Sequence, residues 1–317
     1  MKHKHLFLSI LVGGGLFLAA GAAIIAVLLG HRHDLGRGLV FRGKSPYGEI
    51  RVIDEGDLRY LLVDGAIRAV IDTSLNWESA MPYVNVIDAA RSFHYEPGKL
   101  LLVGLGGGSV AKHYRRSEWE VDAVEIDSLM VSVAGRFFGF DSTDARVFRM
   151  DGRQFVAAAT DTFDVVVVDA FGSSSIPVHL LTKEAFDLIA SRLGPRGTLA
   201  VSVRAVGWHD PIVHSVAATL GAAFPNVIAL PIAEPPDQLG NVILLASRAP
   251  LEIPGDFPVP FDRFTAEYDR FHAWENRFAP DTSGVPAITD ANNPLDRMIK
   301  AINVGERKQV RETFTKH

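Results

Sequence analysis

A glycine-rich turn and three acidic residues each follow an apolar segment of the chain, and together they could hold a nucleoside. The turn is the segment 104–108, which contains Gly104, Gly106 and Gly108, and the acids are Glu125, Asp151 and Asp169. Glycine lets the backbone approach a ligand closely, while carboxylates accept hydrogen bonds from hydroxyl and amino groups. Because the carboxyl ends of parallel strands meet at one edge of a sheet, we expect these residues to lie close together.

The first acid indicates how the turn is used. Glu125 lies 19 residues beyond Gly106, at the end of the next apolar segment. An acid at about this distance binds ribose hydroxyls in dinucleotide-binding proteins, and S-adenosyl enzymes use the same arrangement. A tight structural turn without a ligand is the alternative for the glycines.

Asp151 and Gly152 discriminate between these two nucleoside classes. They follow the third apolar segment, where S-adenosyl enzymes have an acid that accepts a hydrogen bond from the adenine amino group. The alternative for Asp151 is a helix N-cap in front of Arg153. One side chain can fill both roles.

Asp169 is the candidate catalytic residue, and it ends a run of four valines. A carboxylate at the end of a buried strand points into the crevice beyond the sheet. Desolvation there raises the pKa toward that of a useful general base. The alternative is a structural role in which Asp169 caps the serine segment 173–175.

The order of the predicted elements indicates an α/β domain. Seven candidate strands alternate with helices and are rich in Val, Leu and Ile, as expected for parallel strands that are buried on both faces. The strands are 100–105, 120–126, 145–150, 163–169, 197–204, 226–232 and 241–247, and the helices are 108–116, 128–138, 152–159, 182–193 and 210–223. Only residues 233–240 separate the last two strands, so the final strand should be antiparallel. This layout is the class I methyltransferase-like (Rossmann-like) fold.

Shorter segments flank this α/β domain, which we place at residues 76–250 as the nucleoside-binding part of the chain. Residues 47–75 contain short strands separated by turn signals, and they predict a small N-terminal β-meander. Residues 31–46 are predicted to form a basic linker, and residues 251–317 a C-terminal extension.

Residues 6–30 carry no charged side chain, which predicts one transmembrane helix within an anchor over residues 1–30. About 20 apolar residues cross the hydrocarbon core of a bilayer. A cleaved signal peptide is the alternative, although signal peptides have apolar regions of only about 7–15 residues. More Lys and Arg residues follow the span than precede it, which favours a single-pass membrane protein with a cytoplasmic catalytic domain.

The composition excludes several classes of function. A net charge of −5, without a patch of basic and aromatic residues, argues against nucleic-acid binding. The chain has no cysteine, and therefore neither a disulfide framework nor a thiolate nucleophile. Its eleven histidines form no set with metal-ligand spacing, so we predict no metal site.

From about residue 48 to residue 247 the sequence resembles the spermidine/spermine synthase (polyamine aminopropyltransferase) family. The resemblance rests on the order and spacing of several motifs. These are Leu62-Val63-Asp64-Gly65, the glycine-rich turn, Val124-Glu125-Ile126-Asp127, Asp151-Gly152, Val168-Asp169 and the segment 181–186. The segments 288–290 and 293–296 are similar to a C-terminal element of membrane-linked members.

The resemblance implies a transferase that moves an aminopropyl group from decarboxylated S-adenosylmethionine to an amine acceptor such as putrescine. Glu125 would hold the ribose, Asp151 the adenine, and Asp169 would accept the proton of the attacking amine. The donor would be a co-substrate, with no tightly bound cofactor. The family also suggests a homodimer.

Four departures from the family pattern fall on the amine half of the expected site. Gly107 stands where the family has an acid that holds the donor's cationic end, Gly172 where it has a second acid, and Arg68 where it has a glutamine. The segment 76–78, Asn-Trp-Glu, replaces a Tyr-Gln/His-Glu motif. We therefore expect a divergent member. Two alternatives stay open: an S-adenosylmethionine-dependent methyltransferase acting on a small acceptor, and a non-catalytic nucleoside-binding membrane protein.

Overall fold

A computed structural model describes residues 38–170, 177–232, 236–253 and 265–299. Nearly all of them belong to the larger of two units of the chain, Val40–Glu306. Their strands form two sheets, one of five strands and one of seven. Gly172, one of the predicted departures, lies outside the described residues.

The five-stranded N-terminal sheet is a meander whose strands follow the order of the chain. Its strands are β1 (Leu39–Ser45), β2 (Gly48–Glu55), β3 (Leu58–Val63), β4 (Ala66–Asp72) and β5 (Glu78–Ser79). From β2 to β5, neighbouring strands pair antiparallel. One of the turn signals predicted for this region, Asp64 followed by Gly65, forms a turn between β3 and β4, and the positive φ angles of 47° and 83° suit a two-residue hairpin.

This sheet begins earlier than predicted, because Leu39–Ser45 forms a strand within the segment that the sequence predicted to be a linker. Half-buried and exposed residues alternate along it, and the basic Arg42 is exposed and donates to Glu49. On the other face Phe41 packs on Phe137, with 5.3 Å between the ring centroids. Arg42 and Lys44, two of the basic residues of that segment, thus lie on the exposed face of an edge strand.

The seven-stranded central sheet has the strand order β11-β12-β10-β9-β6-β7-β8. Its strands are β6 (Lys99–Val103), β7 (Glu120–Val124), β8 (Arg146–Phe148), β9 (Phe163–Val168), β10 (Leu193–Val206), β11 (Asn226–Pro231) and β12 (Leu239–Ser247). Five neighbouring strands of this sheet, in the order β10-β9-β6-β7-β8, run parallel to one another. Strand β12 lies between β10 and β11 and is antiparallel to both. The predicted class I methyltransferase-like sheet with an antiparallel last strand is therefore confirmed.

Helices bury both faces of the central sheet. They are α1 (Pro82–Ile87), α2 (Ser109–Arg116), α3 (Ser128–Phe137), α4 (Gly152–Ala158), α5 (Lys183–Arg192), α6 (Pro211–Gly221) and α7 (Ala266–Glu275), with short 3-10 helices at Asp88–Phe93 and Val178–Leu180. Along β6, Leu101 and Val103 belong to one core cluster, while Leu100 and Leu102 belong to another. Burial on both faces explains why the strand sequences are apolar without alternation. The sequence analysis did not predict α1 and α7.

The described part of the predicted C-terminal extension completes the core of the central sheet. Ile288, Leu295 and Ile299 are buried in the same cluster as Leu101 and Val103 of β6. This segment, although rich in proline and acidic residues, is therefore part of the domain that it follows.

We expect Leu295→Ala to destabilise the protein by about 2–5 kcal/mol, because it leaves a cavity in the core. Leu295 is fully buried, whereas Leu75 is 62% exposed and provides a matched control. Leu75→Ala should change the free energy of unfolding by less than about 0.5 kcal/mol. Urea denaturation measures both, and equal effects of the two substitutions would contradict a core role for this segment.

The predicted membrane localisation is wrong for the part of the chain that the structure describes. No helix there is long and apolar enough to cross a bilayer. The longest described helix, α6, has 11 residues, against about 20 for a span. The anchor predicted over residues 1–30 lies outside the described residues. The assignment as a single-pass membrane protein with a cytoplasmic catalytic domain is corrected accordingly.

Candidate active site

The ends of four neighbouring parallel strands bring the predicted site residues together. The backbone N–H groups of Gly104, Glu125 and Asp169 each donate to the adjacent strand at 2.9 Å, which holds the strand ends in line. Of the predicted residues, those that line one cavity of about 420 Å³ are Gly104, Gly106, Glu125, Asp151, Gly152 and Asp169. A volume of this size is typical of small-molecule sites.

The glycine-rich turn lies against the end of β9. Gly104 has a φ of 97°, and a Cβ atom there would lie 2.4 Å from the backbone oxygen of Asp169. Gly106 has a φ of 53° and no atom within 4 Å of the corresponding position, so this side of the turn is open. Gly108 is the N-cap residue of α2 and does not line the cavity.

Glu125 is bound to the backbone of the turn. Its Oε2 accepts a hydrogen bond from the N–H of Leu105 at 3.0 Å, and its Oε1 accepts one from Asp127 at 2.9 Å. Burial raises the pKa of Glu125, although these backbone donors oppose the shift. Asp127 in turn accepts a hydrogen bond from the Ser45 hydroxyl at 2.6 Å, which ties β1 to this edge of the central sheet.

Asp151 has the capping role that the sequence analysis gave as its alternative. Its Oδ1 accepts a hydrogen bond from the N–H of Gln154 at 2.9 Å, and its Oδ2 lies 2.8 Å from Nε2 of His179. Burial raises the pKa of Asp151, but these hydrogen bonds outweigh it and bring the pKa below its usual value. Because a carboxylate oxygen accepts more than one hydrogen bond, Asp151 can still receive one from a ligand.

Asp169 is the least satisfied acid of the site. Its Oδ2 accepts a hydrogen bond from the Tyr83 hydroxyl at 3.3 Å. Its Oδ1 is buried and accepts no hydrogen bond of regular geometry from the described residues, although the Ser202 hydroxyl lies near the carboxylate. Burial raises the pKa of Asp169 to about 6, although the hydroxyls of Tyr83 and Ser202 and the charge of Arg68 lower it. A carboxylate with this pKa can exchange protons near neutral pH.

Tyr83 and His179 are cavity residues that the sequence analysis did not select as site residues. Both line the cavity, and both contact a predicted acid. Tyr83 follows the first residue of α1, and no motif marks it. His179 follows the segment 171–176, which lies outside the described residues. Among the residues that are described, no cluster of His, Cys, Asp or Glu side chains is arranged to hold a metal ion.

The C-terminal segment holds the elements that carry Asp151 and His179. Asp290 accepts hydrogen bonds from both terminal nitrogens of Arg153 at 2.6 Å and from the Thr182 hydroxyl at 2.8 Å. The side-chain amide of Asn293 donates to the backbone of Val178 at 3.0 Å. The segments 288–290 and 293–296, which carried part of the resemblance, thus fix α4 and α5 at this end of the cavity.

Asp290→Asn should destabilise the protein in a pH-dependent way. The hydrogen bond and charge of Arg153 lower the pKa of Asp290 to about 2, so the carboxylate contributes stability that is complete above about pH 4 and is lost as the pH falls toward 2. Because Asp290 is 45% exposed, solvent screening limits the effect to about 1 kcal/mol. Thermal unfolding should be measured from pH 3 to pH 7. The difference in stability between the variant and the wild type should become smaller as the pH falls. A constant difference would contradict this account.

Asp169→Asn should stabilise the protein at neutral pH. The pKa of Asp169 is raised in the folded state, so its favourable contribution is complete below about pH 4 and is lost as the pH rises through about 6. The gain should therefore be larger at pH 8 than at pH 4, and at most the roughly 3 kcal/mol that two pKa units represent. Urea denaturation at both values measures it. Asp187→Asn, which removes an exposed acid from α5, is the control and should show no such gain.

The mixed seven-stranded sheet, with its cavity at the ends of the parallel strands, defines a class I methyltransferase-like α/β fold. Residues 85–251 match the sequence pattern of the family described as the spermine/spermidine synthase domain. The chain therefore belongs to this family.

Similar proteins agree with this membership. The chain is 28% identical over 221 residues to the polyamine aminopropyltransferase of Vibrio vulnificus. This match covers 66% of this chain and 71% of that protein. It is 26% identical over 192 residues to a probable polyamine aminopropyl transferase of Bifidobacterium longum, and this match covers 59% of this chain and 43% of that protein. The chain thus spans less than half the length of the second relative.

A solved structure supports the fold. The crystal structure of a probable spermidine synthase from Corynebacterium glutamicum superimposes with a TM-score of 0.62 at 20% identity. The match covers 79% of this chain and 96% of that chain. At this identity the likeness establishes a shared architecture, and the chemistry is argued from the residues of the cavity.

Proposed function

We propose that the protein is an aminopropyltransferase, which moves the aminopropyl group of decarboxylated S-adenosylmethionine to an amine acceptor such as putrescine. The observation that carries this proposal is the environment of the Asp169 Oδ1 atom. This atom is buried at the edge of the cavity, next to the glycine-rich turn, and accepts no hydrogen bond of regular geometry from the described residues. An acid left in this state is suited to bind an amine and to take up its proton. Membership of the family supports the proposal.

The strand ends of β6, β7 and β8 would hold the nucleoside of the donor. The open side of Gly106 lets the donor approach the backbone, and the Glu125 carboxylate has lone pairs left for the ribose hydroxyls. Asp151 and Gly152 lie at the end of β8, where the adenine amino group would be received. The donor is a co-substrate in this scheme and leaves as methylthioadenosine.

The transfer is a substitution at the carbon next to the donor's sulfonium. The amine nitrogen forms a bond to that carbon, the carbon–sulfur bond breaks with its electron pair on sulfur, and a proton passes to Asp169. The Tyr83 hydroxyl holds Oδ2 and leaves Oδ1 to face the amine. An amine with a pKa near 10 must lose its proton before it attacks, and a buried carboxylate with a raised pKa is a suitable acceptor.

The N-terminal sheet would form one wall of this site. Residues of β3 and β4 line the same cavity as the strand ends of the central sheet, among them Val63, Arg68 and Ala69. We therefore keep residues 76–250 as the proposed nucleoside-binding domain and regard the preceding sheet as part of the acceptor site. The homodimer implied by the resemblance stays a prediction.

Asp169→Asn should lower turnover at least about 100-fold, the usual contribution of a general base, and change nucleoside affinity by less than a few-fold. Release of methylthioadenosine from decarboxylated S-adenosylmethionine measures turnover, and calorimetry measures binding. Wild-type kcat/KM should rise tenfold per pH unit up to about pH 6, the pKa of Asp169. The residual kcat/KM of the variant should not show this rise with pH.

Asp187→Asn on the surface of α5 is the control, and it should retain full activity. Unchanged turnover in Asp169→Asn would exclude Asp169 as the proton acceptor. Formation of adenosylhomocysteine in place of methylthioadenosine would identify a methyltransferase. Nucleoside binding without either product would identify a non-catalytic protein.

A further inference from the structure

The wall of the cavity that the N-terminal sheet provides has an unusual charge for a site that accepts a polyamine. We call it the N-terminal wall and define it by the cavity-lining sheet residues Arg68, Ala69 and Ser79 together with the neighbouring Met81, Tyr83 and Gly107. Its one formal charge is positive. Among the described residues, the other acids that line the cavity are Glu125, Asp127 and Asp151, and they lie at the ends of β7 and β8, where the nucleoside would bind. A diamine has a second ammonium group, and this wall offers it no carboxylate.

A β-bulge directs Arg68 into the cavity. Leu61 pairs with Ala69 and Leu62 pairs with Ile67, so Arg68 is the extra residue of β4 between them. Bulges turn a side chain away from the regular alternation and are frequent next to active sites. The charge of Arg68 is close enough to lower the pKa of both Asp169 and Tyr83. The cation thus lies beside the proposed reaction centre.

Apolar packing occupies the position at which the family pattern has an acid. A Cβ atom on Gly107 would lie 3.0 Å from Cβ of Ala69 and 3.2 Å from the ring of Phe138. Phe138 is fully buried, and its backbone oxygen accepts a hydrogen bond from Lys112 at 2.7 Å. A larger residue at position 107 would therefore require this packing to shift.

Glu78 precedes the wall residue Ser79 in the sequence, but its negative charge is used elsewhere. Its carboxylate forms an ion pair with Arg116, and it lies 3.2 Å from Nε2 of His113. Both partners lie on α2, and Glu78 does not line the cavity. The acid that remains from the altered Asn-Trp-Glu motif therefore joins β5 to α2.

We propose that the N-terminal wall binds a carboxylate of the substrate through Arg68. The proposal rests on the proposed function, since it uses the same cavity and the same transfer. A planar guanidinium is suited to bind a carboxylate with two parallel hydrogen bonds. It would repel the second ammonium of a simple diamine. The substrate class is therefore an amine that carries an acidic group.

Two substrates could supply the carboxylate, and both give a balanced reaction. In the first case the acceptor is an amino acid with a side-chain amine, and it receives an aminopropyl group. In the second case the donor is intact S-adenosylmethionine, and its 3-amino-3-carboxypropyl group is transferred. In both cases the amine nitrogen attacks carbon, the carbon–sulfur bond breaks, methylthioadenosine leaves and a proton passes to Asp169.

Two matched pairs of compounds test the proposal, because the members of each pair differ by a single carboxylate. The donors are S-adenosylmethionine and its decarboxylated form, and the acceptors are ornithine and putrescine. Calorimetry on the full chain gives the affinity for each donor, and for each acceptor in the presence of methylthioadenosine. We expect the carboxylate-bearing member of at least one pair to bind tenfold more tightly. The pair that shows the preference identifies the source of the carboxylate.

Variants of Arg68 then assign the preference to this residue. Arg68→Gln should remove the tenfold preference by weakening the carboxylate-bearing member alone, and Arg68→Lys should retain part of it. Arg51→Gln removes a cation from β2 outside the cavity and should leave both affinities unchanged. The proposal is overturned if neither pair shows a preference, or if Arg68→Gln affects both members of a pair alike.

The outcomes separate this proposal from the proposed function. A carboxylate preference that depends on Arg68, without release of methylthioadenosine from any combination, would support the binding site and overturn the transferase. Methylthioadenosine release that is fastest with decarboxylated donor and putrescine, together with tighter binding of both, would support the transferase and overturn the carboxylate site.

Discussion

The backbone contact between Gly104 and Asp169 is the constraint on which the geometry of the site depends. The Asp169 carbonyl oxygen occupies space in which any side chain at position 104 would clash, since a Cβ atom would lie 2.4 Å away. The N–H of Asp169 also donates to the end of β6. The proposed base and the glycine-rich turn are therefore held at a fixed separation by main chain, which is more rigid than any pair of long side chains. Glu125 extends this arrangement to the next strand by accepting a hydrogen bond from Leu105.

The N-terminal sheet completes a site that the central sheet could not form alone. The Ser45 hydroxyl donates to Asp127, and Arg59 donates to the backbone oxygen of Phe137 at the end of α3. The buried Lys112 donates to the backbone oxygens of Trp77 and Phe138, and burial lowers its pKa to about 8. These polar contacts join the two sheets around the cavity. They also restrict how far the backbone of the N-terminal wall, which includes Arg68 and Gly107, can shift.

The strands of the central sheet and the acids at their ends could be predicted from the sequence, because both follow from local patterns. Apolar segments without alternation indicate parallel strands, and the carboxyl ends of such strands meet at one edge, so Glu125, Asp151 and Asp169 could be grouped in advance. The direction of Arg68 could not be predicted, since it depends on a register shift between β3 and β4 that no local pattern marks. The contact of Tyr83 with Asp169 joins residues 86 positions apart. The strand Leu39–Ser45 was missed because its exposed basic residues resemble those of a linker.

The ion pair between Arg153 and Asp290 has a consequence for the order in which the molecule assembles. The two residues are 137 positions apart, and Asp290 follows every strand of the central sheet in the chain. Contacts of such long sequence range form late, because a large loop must close before they contribute any free energy. The contacts that hold α4 and α5 at the Asp151 end of the cavity can therefore form only after the C-terminal segment has been synthesised. The strands of the central sheet can thus pair before this end of the cavity has its C-terminal contacts.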